Sequence, residues 1–310
     1  MADFDVIILG GGPAGMSSLL WCNSLGLRAV ALETAAELGG QLLQMFHRVI
    51  DYPGLITASG SELRDRFQAQ LDELSLNYRL GCQLSEINLS ERTLICSFEG
   101  KREQLSSRAI IIATGASKRR LEIPGEARFA IRGGVSFSAT RDHNLYAGKK
   151  VCVIGGGDSA VENSLILSRV CPQVALIHRS DNFRARAEWL NEARQTANIT
   201  FLTGFKAKTI EGNDRVERLI VEDVISGELT AIETEGVFVR VGIAPNTEAF
   251  VGQIELDESG YVVVDEGADQ RQRTSVEWVY AVGDVCKPVC LSVATAVGHA
   301  AIAAKDIKAR

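Results

Sequence analysis

An α/β fold of two three-layer domains, the second inserted in the first, is what this chain predicts, and three observations carry the prediction. The first is a strand-type apolar run, Val6–Leu9, followed at once by Gly10-x-Gly12-x-x-Gly15. An amphipathic stretch, Met16–Leu25, then closes at Gly26, and a second apolar run, Ala29–Leu32, reaches Glu33. The second observation is the return of that order as Val151–Ile154, Gly155-x-Gly157-x-x-Ala160, Val161–Ser168 and Val174–Ile177. Strand, glycine turn, helix and strand in one frame, met twice, is the pattern of a Rossmann-like dinucleotide-binding fold, and far more specific than a lone glycine motif. The third is continuity. No low-complexity tract or long linker separates the copies, so the domains are expected to meet at short crossings near 115–120 and 243–248. That gives a discontinuous first domain, 1–116 with 246–310, and an inserted second dinucleotide-binding domain, 117–245.

Each turn has a chemical purpose. One glycine makes the tight bend, another lets the backbone approach a pyrophosphate, and the third position stays small for helix–strand packing. The helix N-terminus adds free N–H groups and partial positive charge. Glu33 stands 23 positions after Gly10, the place of a carboxylate that accepts from ribose hydroxyls. At the same offset the second copy has His178, followed by Arg179, Ser180 and Arg184. A carboxylate repels a 2′-phosphate, whereas arginines bind one, or a pyrophosphate. The first fold is therefore expected to hold the adenosine of FAD or NAD, and the second a ligand more anionic at that end.

The remaining elements follow in order. Ser61–Leu74 reads as an amphipathic helix, Leu84–Phe98 as hairpin-like strands, and Ala109–Ala113 as a buried strand ending in Thr114-Gly115. Thr200–Phe238 is strand-rich, with turns at 212–214 and 226–227. Gly260–Val264 and Val279–Val282 read as strands, the latter leading to Gly283-Asp284, and Ser292–Ile307 as a small-residue helix. A chain 46% hydrophobic and 23% charged with six prolines suits an ordered globular protein. Its net charge of -6 offers no basic face for nucleic acid. The start, MADFDVIILGGG, lacks the pattern of a signal peptide, and no apolar run approaches the roughly 20 residues of a transmembrane segment. Seven mostly solitary cysteines suit a reducing, cytoplasmic setting, although peripheral membrane attachment would leave no readable pattern. Cys22, Cys82, Cys96, Cys152 and Cys171 are expected to pack in the interior. His47 reads as a loop residue, His143 as a surface residue, and His299 as either core or dimer contact. No second Cys/His pair stands at ligand spacing, so no metal site is expected.

Nine stretches carry a family resemblance across nearly the whole chain. They are ILGGGPAG at 8–15, LGGQL at 38–42, DYPG at 51–54, ATGASKRRLEIPGE at 113–126, GGVSFSAT at 133–140, GKKVCVIGGGDSAVE at 148–162, HRSDNFRA at 178–185, VGIAPNT at 241–247 and AVGDV at 281–285. With them the sequence resembles the low-molecular-weight thioredoxin reductases of the two-dinucleotide-domain flavoproteins. The resemblance implies FAD in the first domain at Gly10, Gly12, Pro13, Ala14, Gly15, Glu33, Thr34, Gly40, Gln41, Asp51, Ala113, Thr114, Gly115, Gly283, Asp284, Ser292 and Val293. It implies a second dinucleotide at Gly155, Gly157, Asp158, Ser159, Ala160, His178, Arg179, Ser180, Arg184, Arg240 and Gly242. It also implies a homodimer passing electrons from NADPH through FAD to a CxxC dithiol, with domains that rotate between half-reactions.

Departures from that family redirect the expectation. Where it carries its two redox cysteines, this chain has Ser138 and Arg141, neither of which forms a disulfide, so ordinary NADPH-thioredoxin reductase chemistry is expected to be excluded. Ser180 replaces an arginine of the 2′-phosphate cluster, and Arg240 adds a cation where the family has a small residue. Cys286 and Cys290, as C-K-P-V-C, follow Gly283-Asp284 directly. A tight bend at Pro288 would bring such a pair within disulfide reach, and a helix N-terminus near Ser292 together with Lys287 is expected to lower a thiol's pKa. Two small loop hydrophobes are the plainer reading of the same spacing. The combination is similar to the diflavin-linked disulfide oxidoreductases of oxygenic photosynthetic bacteria. That resemblance implies a second FAD in place of the nicotinamide nucleotide, electron flow from dithiol to flavins, and a thiol-containing small molecule or protein as partner. The residues themselves do not separate FAD from NADPH in the second site, nor fix the direction of flow. An NAD(P)H-dependent flavoprotein reductase of a ferredoxin-like carrier is the competing expectation, and a non-catalytic nucleotide-binding protein the third.

Overall fold

A computed structural model describes residues 2–46, 48–265 and 271–310; His47 lies outside them. The chain begins with β1 (Phe4–Leu9), α1 (Pro13–Ser24), β2 (Ala29–Leu32), α2 (Gly60–Glu73) and β3 (Tyr78–Arg79). The hairpin β4 (Gln83–Asn88) and β5 (Thr93–Phe98) leads to the long β6 (Lys101–Ile112). After β7 (Ala116–Lys118) come α3 (Glu126–Arg132), β8 (Val135–Ser136), α4 (Ala139–Asp142), β9 (Lys150–Ile154), α5 (Asp158–Ser168), β10 (Gln173–His178), α6 (Ala187–Gln195) and β11 (Ile199–Thr203). Three strands, β12 (Phe205–Glu211), β13 (Arg218–Asp223) and β14 (Leu229–Glu233), precede β15 (Gly236–Val239). The chain ends with β16 (Ile243–Pro245), β17 (Val279–Ala281) and α7 (Val293–Ala309). Two compact units result: Met1–Ser117 with Ala244–Arg310, and Lys118–Ile243.

In the first unit β3, β2, β1, β6 and β17 pair in that order, all parallel. The first half of β6 pairs antiparallel with β5, so one 12-residue strand serves both a parallel sheet and a hairpin layer. Alternation along β6 separates two cores. Ala109 and Ile111 join Val6, Ile8 and Tyr280 beneath the helices, whereas Ile110 and Ile112 join Ile7, Leu9 and Val279 on the hairpin side. The second unit repeats the plan with a parallel sheet ordered β11-β10-β9-β15-β8. Val153 and Leu176 pack with residues of α5 and α6 on one face, Cys152 and Ile177 with Leu219 and Val221 of β13 on the other. Both units are thus Rossmann-like, and in each the strand order reverses beside the strand that feeds the glycine turn, the position where such sheets bind ligands.

Most predicted elements sit where the patterns put them, with two corrections. The stretch read as amphipathic forms α1, but Ala14–Leu19 are buried on every side, Ser17 and Ser18 included, because the helix packs between the sheet and α7. Gly260–Val264 forms only an isolated bridge, Leu256 to Val262. Asp257 accepts from the N–H groups of Ser259 and Tyr261, and Gly260 adopts φ +88°, so a side-chain-held turn replaces the strand. The five solitary cysteines are buried. His143 is half-buried, its Nδ1 3.0 Å from the Ala139 carbonyl oxygen.

One ionic cluster ties α7 to the sheet. Asp306, buried, accepts from Arg273 Nε at 2.7 Å, Arg271 Nη1 at 3.0 Å and the Tyr280 hydroxyl at 2.8 Å. Burial raises the carboxyl's pKa, but the bonds from Arg273, Tyr280 and Arg271 outweigh it and bring it down to about 2. A depressed carboxylate stabilises the fold above its unfolded pKa, and that contribution is lost as pH falls from about 4 toward 2. Asp306→Asn is expected to lower urea stability at pH 7 by about 2–3 kcal/mol, with the gap from wild type closing at pH 2. An undiminished gap at that pH would contradict this account of the cluster.

Candidate functional site

The two glycine turns are built alike. Gly10, at φ +112°, leaves no room for a Cβ, which would strike the carbonyl oxygen of Ala113 just beyond β6. Gly155, at φ +147°, is jammed in the same way against the carbonyl of Arg240 just beyond β15. Gly15 could not carry a Cβ without hitting the Gly10 carbonyl, and at the matching place in the second turn stands a fully buried Ala160. The middle glycines differ. A Cβ on Gly12 or Gly157 would meet nothing within 4 Å, so both turns stay open where a ligand would approach. Gly12 and Gly157 are also the N-caps of α1 and α5, and neither makes a side-chain cap bond. Uncapped first-turn N–H groups with the positive helix end behind them suit an anion.

Around the first turn the predicted residues converge. Glu33 Oε2 accepts from Gly11 N–H at 2.6 Å and Oε1 from Ala35 N–H at 2.8 Å, with Thr34 Oγ1 at 3.2 Å from Oε1. The carboxylate is therefore held at the end of β2, against the turn. Gly40 stands against Gly12, and Gln41 Nε2 donates to Asp284 Oδ2 at 2.6 Å. Gly283, φ +74°, lies so close to Ala14 that a Cβ there would come within 2.9 Å of the Ala14 Cβ, which places Asp284 beside the start of α1. Burial raises the pKa of Asp284, with the Gln41 bond and then His299 opposing. His299 Nδ1 accepts from Gly283 N–H at 3.4 Å, which assigns the proton to Nε2, and burial lowers its pKa. Ser292 caps α7 by accepting from Thr295 N–H at 3.1 Å, with Val293 the first helical residue. Thr114 and Asn246 exchange reciprocal bonds of 2.7 Å next to Ala113 and Gly115. Pro13 occupies the first helical position, where its missing N–H costs nothing. Asp51 is different: it stands exposed in the loop closed by the Val49–Thr57 bridge, and no described bond joins it to the turn.

The second turn gathers a separate group. The His178 ring lies directly over Gly156 and packs on Phe183 at 5.0 Å between centroids. Burial lowers its pKa, and Arg179 and Arg184 push the same way against a bond from the ring to the Asn182 backbone. A neutral His178 leaves the positive charge here to the exposed Arg179 and Arg184. Arg184 N–H donates to the Gly156 carbonyl at 2.8 Å, drawing that loop back to the turn, and Ser180 Oγ accepts from Asn182 N–H at 3.1 Å. Asp158 accepts from Arg186 N–H at 2.7 Å and Nε at 3.1 Å, a partner the sequence pattern did not single out. Ser159 is exposed at the start of α5 and Gly242, φ +99°, follows the end of β15.

At the positions of the family's redox pair, Ser138 Oγ accepts from Arg141 N–H at 3.4 Å and caps α4, while the Arg141 guanidinium grips Asp142 with two bonds of 2.6 Å. Cys286 and Cys290 are both thiols, the first half-buried against the hairpin-side core and the second exposed. Cys286 Sγ lies 3.3 Å from the Gly283 carbonyl oxygen and 3.9 Å from Gln272 Oε1. The expectation of an acidified thiol fails for Cys286. Burial, then Asp284, pushes it up to about 12. Lys287 does not counter this, because its Nζ pairs with Asp257 Oδ2 at 3.2 Å and lies over the Tyr261 ring at 5.4 Å.

Two glycine-turn folds, with the Cys286 thiol against the Gly283 that packs on the first, define a dinucleotide-dependent oxidoreductase. The chain belongs to the pyridine nucleotide-disulphide oxidoreductase family, whose model matches residues 4–300. A thioredoxin reductase of Mycolicibacterium smegmatis is 35% identical, with 97% of this chain and 94% of the relative covered. The thioredoxin reductase structure from Lactococcus lactis superposes with TM-score 0.80 at 32% identity over 98% of each chain. That from T. acidophilum gives 0.77 at 30% identity over 100% of this chain and 99% of the other.

In the reduced protein at pH 8, iodoacetamide is expected to alkylate Cys290 first. Cys286 should lag a free cysteine by about a thousandfold, because so few of its thiols are ionised, and its rate should climb with pH. Mass spectrometry of timed quenches checks this, and equal rates at the two sites would contradict the burial argument.

Proposed function

We propose that the chain is a flavin-dependent disulfide oxidoreductase in which Cys286 and Cys290 exchange electrons with FAD held by the first domain, 1–116 and 246–310. In this reading the second domain, 117–245, holds a second FAD where related proteins hold a nicotinamide nucleotide. The observation that carries it is the placement of the thiols. They follow Gly283-Asp284, which packs against the start of α1, while positions 138 and 141 hold side chains without redox chemistry. The residues of the first turn suit a dinucleotide. Open Gly12 and the uncapped α1 would face the pyrophosphate, and Glu33 would exchange its hold on Gly11 N–H for ribose hydroxyls. FAD, when bound, supplies a two-electron acceptor or donor.

The protein's own part is thiol–disulfide exchange. With Cys286 and Cys290 oxidised, an incoming dithiol meets the exposed Cys290 first. Its thiolate bonds to the Cys290 sulfur, the Cys286–Cys290 bond breaks, and Cys286 leaves as a thiolate and then takes up a proton; its raised pKa makes that departure the slow part of the exchange. The donor's second thiolate then displaces Cys290, so the donor departs as a disulfide and the protein as a dithiol. The partner is accordingly a thiol-containing small molecule or protein. A homodimer belongs to the same reading, with the exposed Trp21 and Ile302 on α1 and α7 as apolar surface for it.

The family match to pyridine nucleotide enzymes favours a second reading, an NAD(P)H-dependent reductase of a ferredoxin-like carrier. Anaerobic mixing separates the two. Dithiol is expected to bleach the flavin absorbance quickly and NADPH slowly, and Cys286→Ser or Cys290→Ser should slow the dithiol reaction by roughly a hundredfold or more with flavin still bound. Bleaching by NADPH that both variants leave untouched would overturn the thiol route.

A further inference from the structure

At the C-terminal edge of the second parallel sheet, beside β15, three cations gather with two carboxylates, Asp142 and Glu162. Arg240 N–H donates to the Ile154 carbonyl at 2.8 Å and its own carbonyl abuts Gly155, so this residue borders the second glycine turn. β15 and β10 flank β9 on opposite sides, which puts Arg240 across the turn from His178, Arg179 and the adenine end they mark. Arg240 Nη1 donates to the Phe137 carbonyl at 2.7 Å, while its Nε is buried without a hydrogen-bond partner. Arg120 lies over the Phe137 ring at 5.4 Å. Arg141 is spent on Asp142 through its two bonds. Half-buried Lys118 ends β7, and the N–H of the next residue, Arg119, donates to the Gly242 carbonyl at 2.9 Å, two residues beyond Arg240. Burial, then Arg240 and Arg141, push the Lys118 ammonium down to about 8. Glu162 is the carboxylate that acts on Arg240.

Like charges gathered in a partly desolvated place repel one another, and a buried donor left without an acceptor is destabilising. Asp142 answers Arg141 and serves Lys118 only at a distance. Lys118 and the Arg240 Nε are left as unspent donors on the side of the turn where the second half of a dinucleotide runs. A ring placed there meets fixed positive charge. The pyridinium of an oxidised nicotinamide is repelled by it, whereas a ring that offers carbonyl and nitrogen acceptors, and becomes anionic when reduced, is attracted.

We infer that Lys118 and Arg240, steadied by the Arg141–Asp142 pair, form a specificity subsite that accepts the isoalloxazine ring of a second FAD and rejects the pyridinium of NADP+. The inference rests on the proposal that the second domain binds a dinucleotide, and it adds the residues that choose between two.

The test compares wild type with Lys118→Met/Arg240→Leu. Folding is checked by circular dichroism, FAD retention by dialysis against flavin-free buffer, and NADP+ affinity by calorimetric titration. The variant is expected to hold its second FAD at least tenfold more weakly and to bind NADP+ about tenfold more tightly. A folded variant in which neither affinity moves overturns the inference and leaves the second-flavin reading standing. Wild-type protein that takes up no second FAD defeats that reading by itself. The NADP+ arm then decides the subsite, and no gain in the variant refutes it. Should the double variant fail to fold, Lys118→Gln alone, at a half-buried position, serves the same comparison.

Discussion

Backbone meets backbone at the end of a parallel strand in both units, and the rest of the molecule is arranged around those two meetings. Gly10 against the Ala113 carbonyl and Gly155 against the Arg240 carbonyl leave no space for a side chain. Only a glycine at positive φ closes either gap, and closing it brings a helix N-terminus to the edge of the sheet with its amides uncapped. Everything that differs between the units is laid on top of this shared joint. The first adds Glu33, Gln41 and Asp284; the second adds arginines and Lys118.

The joint also explains where Cys286, the sulfur of the proposed exchange, stands. Gly283 packs on Ala14 of α1, so any residue shortly after Asp284 is carried close to the first turn. Cys286 gains position from that contact, and the same contact buries it and places it near Asp284, which is why its thiol is weakly acidic. Position and acidity are set by one packing arrangement and pull in opposite directions. In the proposed exchange, an exposed Cys290 and a half-buried Cys286 would divide the labour that one acidified cysteine would otherwise perform.

How much of this could be read from residues alone follows from range. Glycine turns, the run of strand and helix, and Glu33 are local patterns with fixed spacing, so the fold and the core of the first site were legible. Cys286 and Cys290 stand out in the sequence because they follow Gly283-Asp284; the structure leaves the first half-buried and the second exposed. The state of Cys286 was not legible, since Lys287 turns away to Asp257, 30 residues earlier in the chain. Gly260–Val264 misled for a related reason: its apolar run is genuine, but Asp257 commits the backbone to a turn. Lys118, Arg141 and Arg240 come from three separate segments, and no spacing rule joins them; only the folded sheet does.

The proposed diflavin chemistry requires both joints to serve a flavin. Denaturing a known amount of purified protein and quantifying the released flavin by absorbance measures this directly. Two flavins per polypeptide is the result the account predicts. A ratio of one, unchanged when excess FAD is supplied before gel filtration, would contradict it.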